Sequence, residues 1–272
     1  MSEFFNYFSI LKKFLSASFI KAGVLPWFLG VALITFSFAS DNFLTTQNIL
    51  GVARHSSDLI LVAMAQMVVM LTAGLDFSVG VILAMTSVVA SMTMVALWSG
   101  YGSGWEAIFI GCLAGLLVGA FIGLVNGLGV AFLRVPPFIM TLGMSSIIFG
   151  LALTITGGIP IYGMPESFTN IFGYGIFLGI SLTIWITLIF IILVYIFINR
   201  TKMGRYFYAI GGNIRAAELS GINVRVYIVS AYVFSAVVTS FAALLITARL
   251  ETGEPNIGAS YPLLSIAACA IG

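Results

Sequence analysis

The fold is decided by the stretch Ala107–Leu133, AIFIGCLAGLLVGAFIGLVNGLGVAFL, which contains no charged residue. As a helix it would rise about 40 Å, whereas about 20 apolar residues suffice to cross a bilayer. A charge near the bilayer centre costs roughly 2.5–3.5 kcal/mol on insertion scales. A charge-free run of this length is therefore typical of a transmembrane helix.

Further charge-free apolar stretches lie on both sides of it, at about 24–39, 59–73, 79–98, 136–156, 176–198, 226–248 and 262–272. Together they predict an all-α fold, a polytopic transmembrane helical bundle with about eight spans. The last stretch would rise only about 16 Å as a helix. We therefore expect the C-terminal spans of the natural protein to be missing from this sequence; a short re-entrant helix is the alternative.

The composition excludes several classes of protein. Of the 272 residues, 61% are hydrophobic and 7% are charged, and the mean hydropathy is +1.15. A soluble domain is about a quarter charged, and a disordered chain has the opposite composition. The net charge of +2 does not indicate a nucleic-acid partner. Cys112 and Cys269 both lie in apolar stretches, so neither a disulfide nor a metal site is implied.

Lysine and arginine set the predicted orientation, because cytoplasmic loops carry an excess of them. With a cytoplasmic N-terminus and alternating spans, only Arg54 and Arg249 lie outside. The residues placed inside are Lys12, Lys13, Lys21, Arg134, Arg200, Lys202, Arg205, Arg215 and Arg225. Residues 1–22 are predicted to form a cytoplasmic N-terminal segment.

Glycine recurs at every fourth residue along the central stretch, at Gly111, Gly115, Gly119, Gly123 and Gly127. Glycine at this spacing makes a flat stripe on which another helix can pack closely. Asn126 points into the middle of the stripe. Its amide needs a partner in an apolar surrounding, so it makes an interhelical hydrogen bond or lines a transport pathway.

The segment Thr72–Gly80, TAGLDFSVG, interrupts two apolar stretches. Glycine frees the backbone, and Asp76 or Ser78 can cap the next helix. The segment is either a helix break that lines a pathway or a capped turn at the cytoplasmic face. After it, Pro136–Pro137 predicts a helix start, and Thr141 lies on the helix that follows.

Residues 199–225 form the longest polar loop. Gly211–Gly212 predicts a turn, Asn213 is a good N-cap for a helix Ile214–Ser220, and Gly221 is a good residue to follow it. Ala216 and Ala217 would leave part of that helix nearly smooth. Such a helix is either a rigid knob that docks on a cytoplasmic partner or a simple connection.

These segments together resemble the permease subunit of ATP-binding-cassette (ABC) importers for monosaccharides, of the ribose, xylose, arabinose and galactose type. The resemblance covers most of the chain. It is carried by Thr72–Gly80, Gly123–Gly127, Pro136–Gly143, the block from Arg249 to Ala268 and, most specifically, Gly204–Ile222. The family commonly has Gly-Gly-Ile-Asp-Leu-Ser where this chain has Ala73–Ser78. Family members continue with further helices, in keeping with the expected missing spans.

The resemblance implies a permease domain over residues 23–272, a bacterial inner-membrane location and three kinds of partner. These are a second permease copy or paralogue, a cytoplasmic ABC ATPase and a periplasmic sugar-binding protein. Coupling to the ATPase is assigned to Gly204, Arg205, Ala209, Gly211, Gly212, Asn213, Arg215, Ala216, Ala217, Glu218 and Gly221. The predicted translocation pathway comprises Thr72, Asp76, Ser78, Asn126, Phe138 and Thr141.

The sequence carries no GxxxxGK[ST] phosphate-binding loop, so ATP hydrolysis is assigned to another polypeptide. No cofactor is expected. The main alternative is an ion- or proton-coupled secondary transporter, which usually needs buried carboxylates or histidine in its spans; Asp76 is the one plausible acid. A membrane enzyme would need a nucleophile with a base or a metal cluster. A passive channel would be distinguished by ATP-independent flux.

Overall fold

The computed structural model describes residues 25–98 and 104–271. The predicted N-terminal segment 1–22 lies outside the described residues. The described parts are mainly helical, and their two strands hold two residues each. Their α-helices are α1 Leu25–Ala39, α2 Thr46–Met70, α3 Val79–Leu97, α4 Trp105–Ala131, α5 Pro137–Thr156, α6 Glu166–Phe168, α7 Leu182–Arg200, α8 Lys202–Gly212, α9 Ile214–Leu219, α10 Val224–Leu250 and α11 Tyr261–Ile271.

A short irregular region separates α6 from α7. A π-helical turn, Thr169–Gly173, is followed by a two-stranded antiparallel hairpin of β1, Ile176–Phe177, and β2, Ile180–Ser181. Ile176 pairs with Ser181, and Phe177 pairs with Ile180. We refer to the side of the protein that carries this hairpin as the hairpin end, and to the opposite side as the α9 end.

Six helices of the described chain are long and apolar enough to cross a membrane: α2, α3, α4, α5, α7 and α10. The predicted polytopic helical bundle is therefore confirmed, and the chain is a multi-pass membrane protein. The predicted count of about eight spans is not confirmed, because α1 and α11 are apolar but shorter. These two helices coincide with the predicted stretches 24–39 and 262–272.

The glycine stripe of α4 is the centre of the packing. An added Cβ on Gly111 would lie 2.8 Å from the carbonyl oxygen of Ala90 in α3. On Gly123 it would lie 2.6 Å from the carbonyl oxygen of Tyr232 in α10. The stripe therefore seats α4 in the groove between α3 and α10, as its spacing predicted.

The cationic residues separate between the two ends. At the hairpin end, Arg54 hydrogen-bonds the carbonyl of Gly173, and Arg249 forms an ion pair of 2.5 Å with Asp58. Arg134, Arg200, Lys202, Arg205, Arg215 and Arg225 belong to the segments around α8 and α9 or to helix ends on that side.

Candidate functional site

The short helix α9 begins and ends as its sequence predicts. The side chain of Asn213 accepts a hydrogen bond of 3.0 Å from the backbone N–H of Ala216. Gly221 follows the helix at a φ of +80°, a conformation that favours glycine. The helix itself spans Ile214–Leu219, with Ser220 as its C-cap. Both ends of α9 are therefore fixed by local hydrogen bonds and backbone geometry.

Two details of the predicted loop are wrong. Gly211–Gly212 is not a turn but the last part of α8. Gly211 lies against the backbone carbonyl of Leu71, where a side chain would clash, so the glycine is explained by close packing. Ala217 is not on a smooth outer surface, because it is buried against Ile210 and Val224. Ala216, by contrast, is exposed.

The remaining predicted coupling residues lie mostly on the surface. Gly204 is buried against the backbone of Ile198, where its N–H also donates to the capping hydroxyl of Thr201 over 3.2 Å. The exposed ones are Arg205, Ala209, Gly211, Gly212, Asn213, Arg215, Ala216, Glu218 and Gly221. They form a mixed-charge surface on α8 and α9, which we call the α8–α9 surface.

The segment between α2 and α3 is a helix break held by Asp76. Its Oδ1 accepts hydrogen bonds from the backbone N–H of Ser78 at 2.8 Å and from the Ser78 hydroxyl at 2.5 Å. The carboxyl is fully buried. Burial raises the pKa of Asp76, and the two hydrogen bonds from Ser78 oppose that shift. Asp76 therefore orders the turn that leads into α3.

Neighbouring helices complete the break. Asn126 donates from Nδ2 to the Ser78 hydroxyl over 2.8 Å. The Thr141 hydroxyl accepts from the N–H of Phe77 over 3.1 Å. With its amide assigned in the orientation that satisfies both groups, Gln66 donates to the carbonyl of Asp76 over 3.0 Å and accepts from the N–H of Asp76 over 3.1 Å.

Among the residues predicted for a pathway, the structure thus brings Asp76, Ser78, Asn126 and Thr141 together in one buried network. Asn126 makes the interhelical hydrogen bond that was one of its two interpretations. The Thr72 hydroxyl donates to the carbonyl of Val69 in the last turn of α2 over 2.8 Å. Phe138 is half exposed and packs edge-to-face on Phe77 with centroids 5.1 Å apart. A direct role of these residues in a pathway stays a prediction.

Gln66 was not singled out as a candidate residue from the sequence. It could have been, because Gln66 is the only amide in the apolar stretch 59–73. A buried amide in such a stretch needs partners, and here its partner is the backbone of the break.

A second irregular segment, residues 251–260, runs beside α3. It leaves α10 at Glu251, which has a φ of +59°. An added Cβ on Gly253 would touch Ser91, 2.5 Å away, and the N–H of Glu254 donates to the Ser87 hydroxyl over 3.1 Å. Further on, Gly258 lies against the backbone of Gly80. The segment therefore follows α3 from Ser91 towards its beginning.

A profile of the branched-chain amino acid transport system permease component matches residues 48–272. This match covers the helix break, residues 251–260 and the α8–α9 surface. The chain belongs to this permease family.

Curated relatives of this permease are similar along most of its length. It is 34% identical to the D-allose transport system permease protein AlsC of Escherichia coli, over 89% of this chain and 72% of that protein. It is 35% identical to the ribose import permease protein RbsC of Escherichia coli, over 89% and 74%. It is 34% identical to the galactose/methyl galactoside import permease protein MglC of Haemophilus influenzae, over 97% and 82%. No solved structure matches the chain significantly.

The two buried acids described in this permease have fixed structural partners. Asp58 pairs with Arg249, and Asp76 accepts hydrogen bonds from Ser78. Among the described residues, no group of three or more histidine, cysteine, aspartate or glutamate side chains is arranged to hold a metal ion.

Proposed function

We propose that this chain is the transmembrane permease subunit of an ABC importer that moves a monosaccharide, a ribose-like pentose or a hexose, across the bacterial inner membrane. Separate ATPase subunits supply the energy. The observation that carries the proposal is the similarity to permeases named for D-allose, ribose and galactose, at 34–35% identity over 89–97% of this chain. The same relatives favour this function over a proton-coupled secondary transporter.

The α8–α9 surface is the proposed docking site for the ATPase. A docking helix must transmit a displacement without fraying, and α9 is capped by Asn213 and anchored by the buried Ala217. Mixed charge on the surrounding surface suits a polar protein partner.

The helix break is the proposed receiver of that displacement. Gly211 of α8 lies directly on the backbone of Leu71. A cavity of about 300 Å³ is lined by residues of the break, by Ile214 of α9 and by Tyr232 of α10. Movement of α8 and α9 would therefore press on the break, and through it on the beginning of α3. This supplies a route from ATP hydrolysis to alternating access.

The α9 end is placed in the cytoplasm in this proposal, with the N-terminus on the same side and residues 199–225 as the coupling loop. The cationic residues that gather at the α9 end support this orientation. The hairpin end then faces a periplasmic sugar-binding protein, and a second permease copy or a paralogue completes the transporter.

The proposal is tested by copurification. A tagged form of this chain, coexpressed with an untagged ABC ATPase from the same organism and solubilised in mild detergent, should retain the ATPase. Deletion of residues 214–220 should abolish the association while membrane insertion is kept. If the ATPase is retained equally by the deletion variant, the docking assignment is wrong.

A further inference from the structure

A cleft of about 430 Å³ opens on the surface between α3, α5 and the irregular segment that precedes α11. Ser145, Ser146 and Phe149 of α5 form one wall, and Phe77 lies at the base of α3. Asn256 belongs to the opposite wall, on residues 256–263. Small residues, Gly80, Ala84, Gly258 and Ala259, keep the space between the walls open.

The cleft lies at membrane depth. The segment that forms its wall follows α3 between Ser91 and Gly80, which corresponds to about 16 Å along a helix. Because α3 is one of the candidate spans, this non-helical backbone lies within the membrane. Such backbone is tolerated only where it is buried in protein or lines a water-filled cavity.

The polar side chains in and beside the cleft indicate whether this surface faces lipid or water. Asn256 and Ser146 are exposed, and Glu254 is partly exposed at the level of Ser87 in α3. An amide or a carboxylate facing hydrocarbon is strongly disfavoured. The surface that carries these groups must therefore face water or another protein, and a cleft of this volume with hydroxyl and amide groups in its walls can hold water.

We infer that this cleft is the sugar-contacting wall of the translocation pathway, with Asn256 and Ser146 as its hydrogen-bonding groups. The inference rests on the proposed function and deepens it. None of the described residues that line the cleft is charged, so the cleft suits a neutral polyhydroxylated ligand.

The groups present match the chemistry of a monosaccharide. The Asn256 amide can both donate to and accept from sugar hydroxyls. The Ser146 hydroxyl donates to the carbonyl of Leu142 over 3.3 Å and keeps its lone pairs for a ligand. Phe77 and Phe149 offer apolar surfaces to the C–H face of a sugar ring. The contacts are few, as a pathway requires if the solute is to leave again.

Cysteine accessibility tests the inference without relying on transport. In a background with Cys112→Ala and Cys269→Ala, the variants Asn256→Cys and Ser146→Cys are assembled with the ATPase and the binding protein and treated with methanethiosulfonate-ethylammonium, a water-soluble thiol reagent. Both should react in the nucleotide-free or the ATP-bound state. The matched control is Ile192→Cys, because Ile192 is exposed in the middle of the apolar helix α7 and should face lipid and stay unmodified.

The inference is overturned if neither test cysteine reacts in either state. It is also overturned if only one of the two test cysteines reacts, since the two walls would then not face one water-filled space. Selective reaction of both test cysteines supports a water-filled pathway.

Transport measurements separate this inference from the proposed function. Asn256→Leu should lower ATP-driven monosaccharide uptake about tenfold, because a polar partner of the sugar is lost, while the ATPase is still copurified with the variant. Ile192→Leu is the control and should transport normally. Normal uptake by Asn256→Leu contradicts the pathway assignment alone, whereas failure of the unmodified chain to take up any monosaccharide contradicts the proposed function.

Discussion

At the scale of single residues, the structure depends on positions where the backbone of one helix touches another. Gly123 and Gly143 illustrate the contrast. Both are helical glycines in apolar spans, yet an added Cβ on Gly123 would lie 2.5 Å from the Cβ of Ala236, whereas nothing lies within 4 Å of one on Gly143. Spacing alone predicted the first contact, because Gly123 belongs to the regular stripe.

We therefore expect opposite effects from the same substitution at these two glycines. Gly123→Ala should destabilise the protein by about 1–3 kcal/mol, since an extra methyl must push α4 away from α10. Gly143→Ala should be neutral or slightly stabilising, because alanine favours a helix over glycine. Thermal unfolding in detergent measures both. Equal melting temperatures for the two variants would show that the stripe does not set the helix packing.

The Asn126 amide gives a second prediction at this scale. Asn126→Leu removes the hydrogen bond to Ser78 and should lower stability by about 1–3 kcal/mol, because buried polar groups lose a partner. The control is Asn199→Leu, at an exposed amide, which should change stability by less than about 0.5 kcal/mol. An unchanged melting temperature for Asn126→Leu would show that the hydrogen bond between Asn126 and Ser78 does not stabilise the fold.

At the scale of elements, local signals were predictable and distant contacts were not. The caps of α9 were readable because Asn213, Ala216 and Gly221 are neighbours in sequence. The pair Gly211–Gly212 was misread as a turn because its reason, the backbone of Leu71, is far away along the chain. The path of residues 251–260 could not be predicted for the same reason, since it depends on the contact of Gly258 with Gly80.

The N-cap of α9 can be tested on its own. Asn213→Ala removes the hydrogen bond to the N–H of Ala216 and should weaken the helix by about 1 kcal/mol. Amide hydrogen exchange over residues 214–219 should then become about fivefold faster. Asn199→Ala, which removes no cap, serves as the control. Unchanged exchange in Asn213→Ala would mean that packing of Ala217 alone fixes the helix.

The outer face of α9 is tested by Ala216→Trp. Ala216 is exposed, so the large side chain should leave the fold intact and block the approach of the ATPase. We expect the copurified ATPase to fall about tenfold or more, since a misfit at an interface centre costs well over 1.4 kcal/mol. Ile192→Trp, in the apolar helix α7, is the control. Full retention of the ATPase by Ala216→Trp would show that the outer face of α9 does not contact the ATPase.

At the scale of the whole molecule, the class of protein followed from charge segregation, and the helical bundle was confirmed. The predicted number of spans is not confirmed, because six helices within the described residues are long enough to cross a membrane, and α1 and α11 are shorter apolar helices there. The buried network around Asp76 was only half predictable. Its members stood out as polar residues in apolar surroundings, but their common location depends on the packing of α2, α3, α4 and α5 around one break.

The central claim is that an ATPase on a separate polypeptide drives solute movement through this permease. The most direct measurement is uptake of radiolabelled monosaccharide into proteoliposomes that contain the permease, its ATPase and its binding protein. Uptake should occur only with ATP present, and none should occur when the catalytic glutamate of the ATPase is replaced by glutamine. Equal uptake with the inactive ATPase, or without ATP, would contradict this claim.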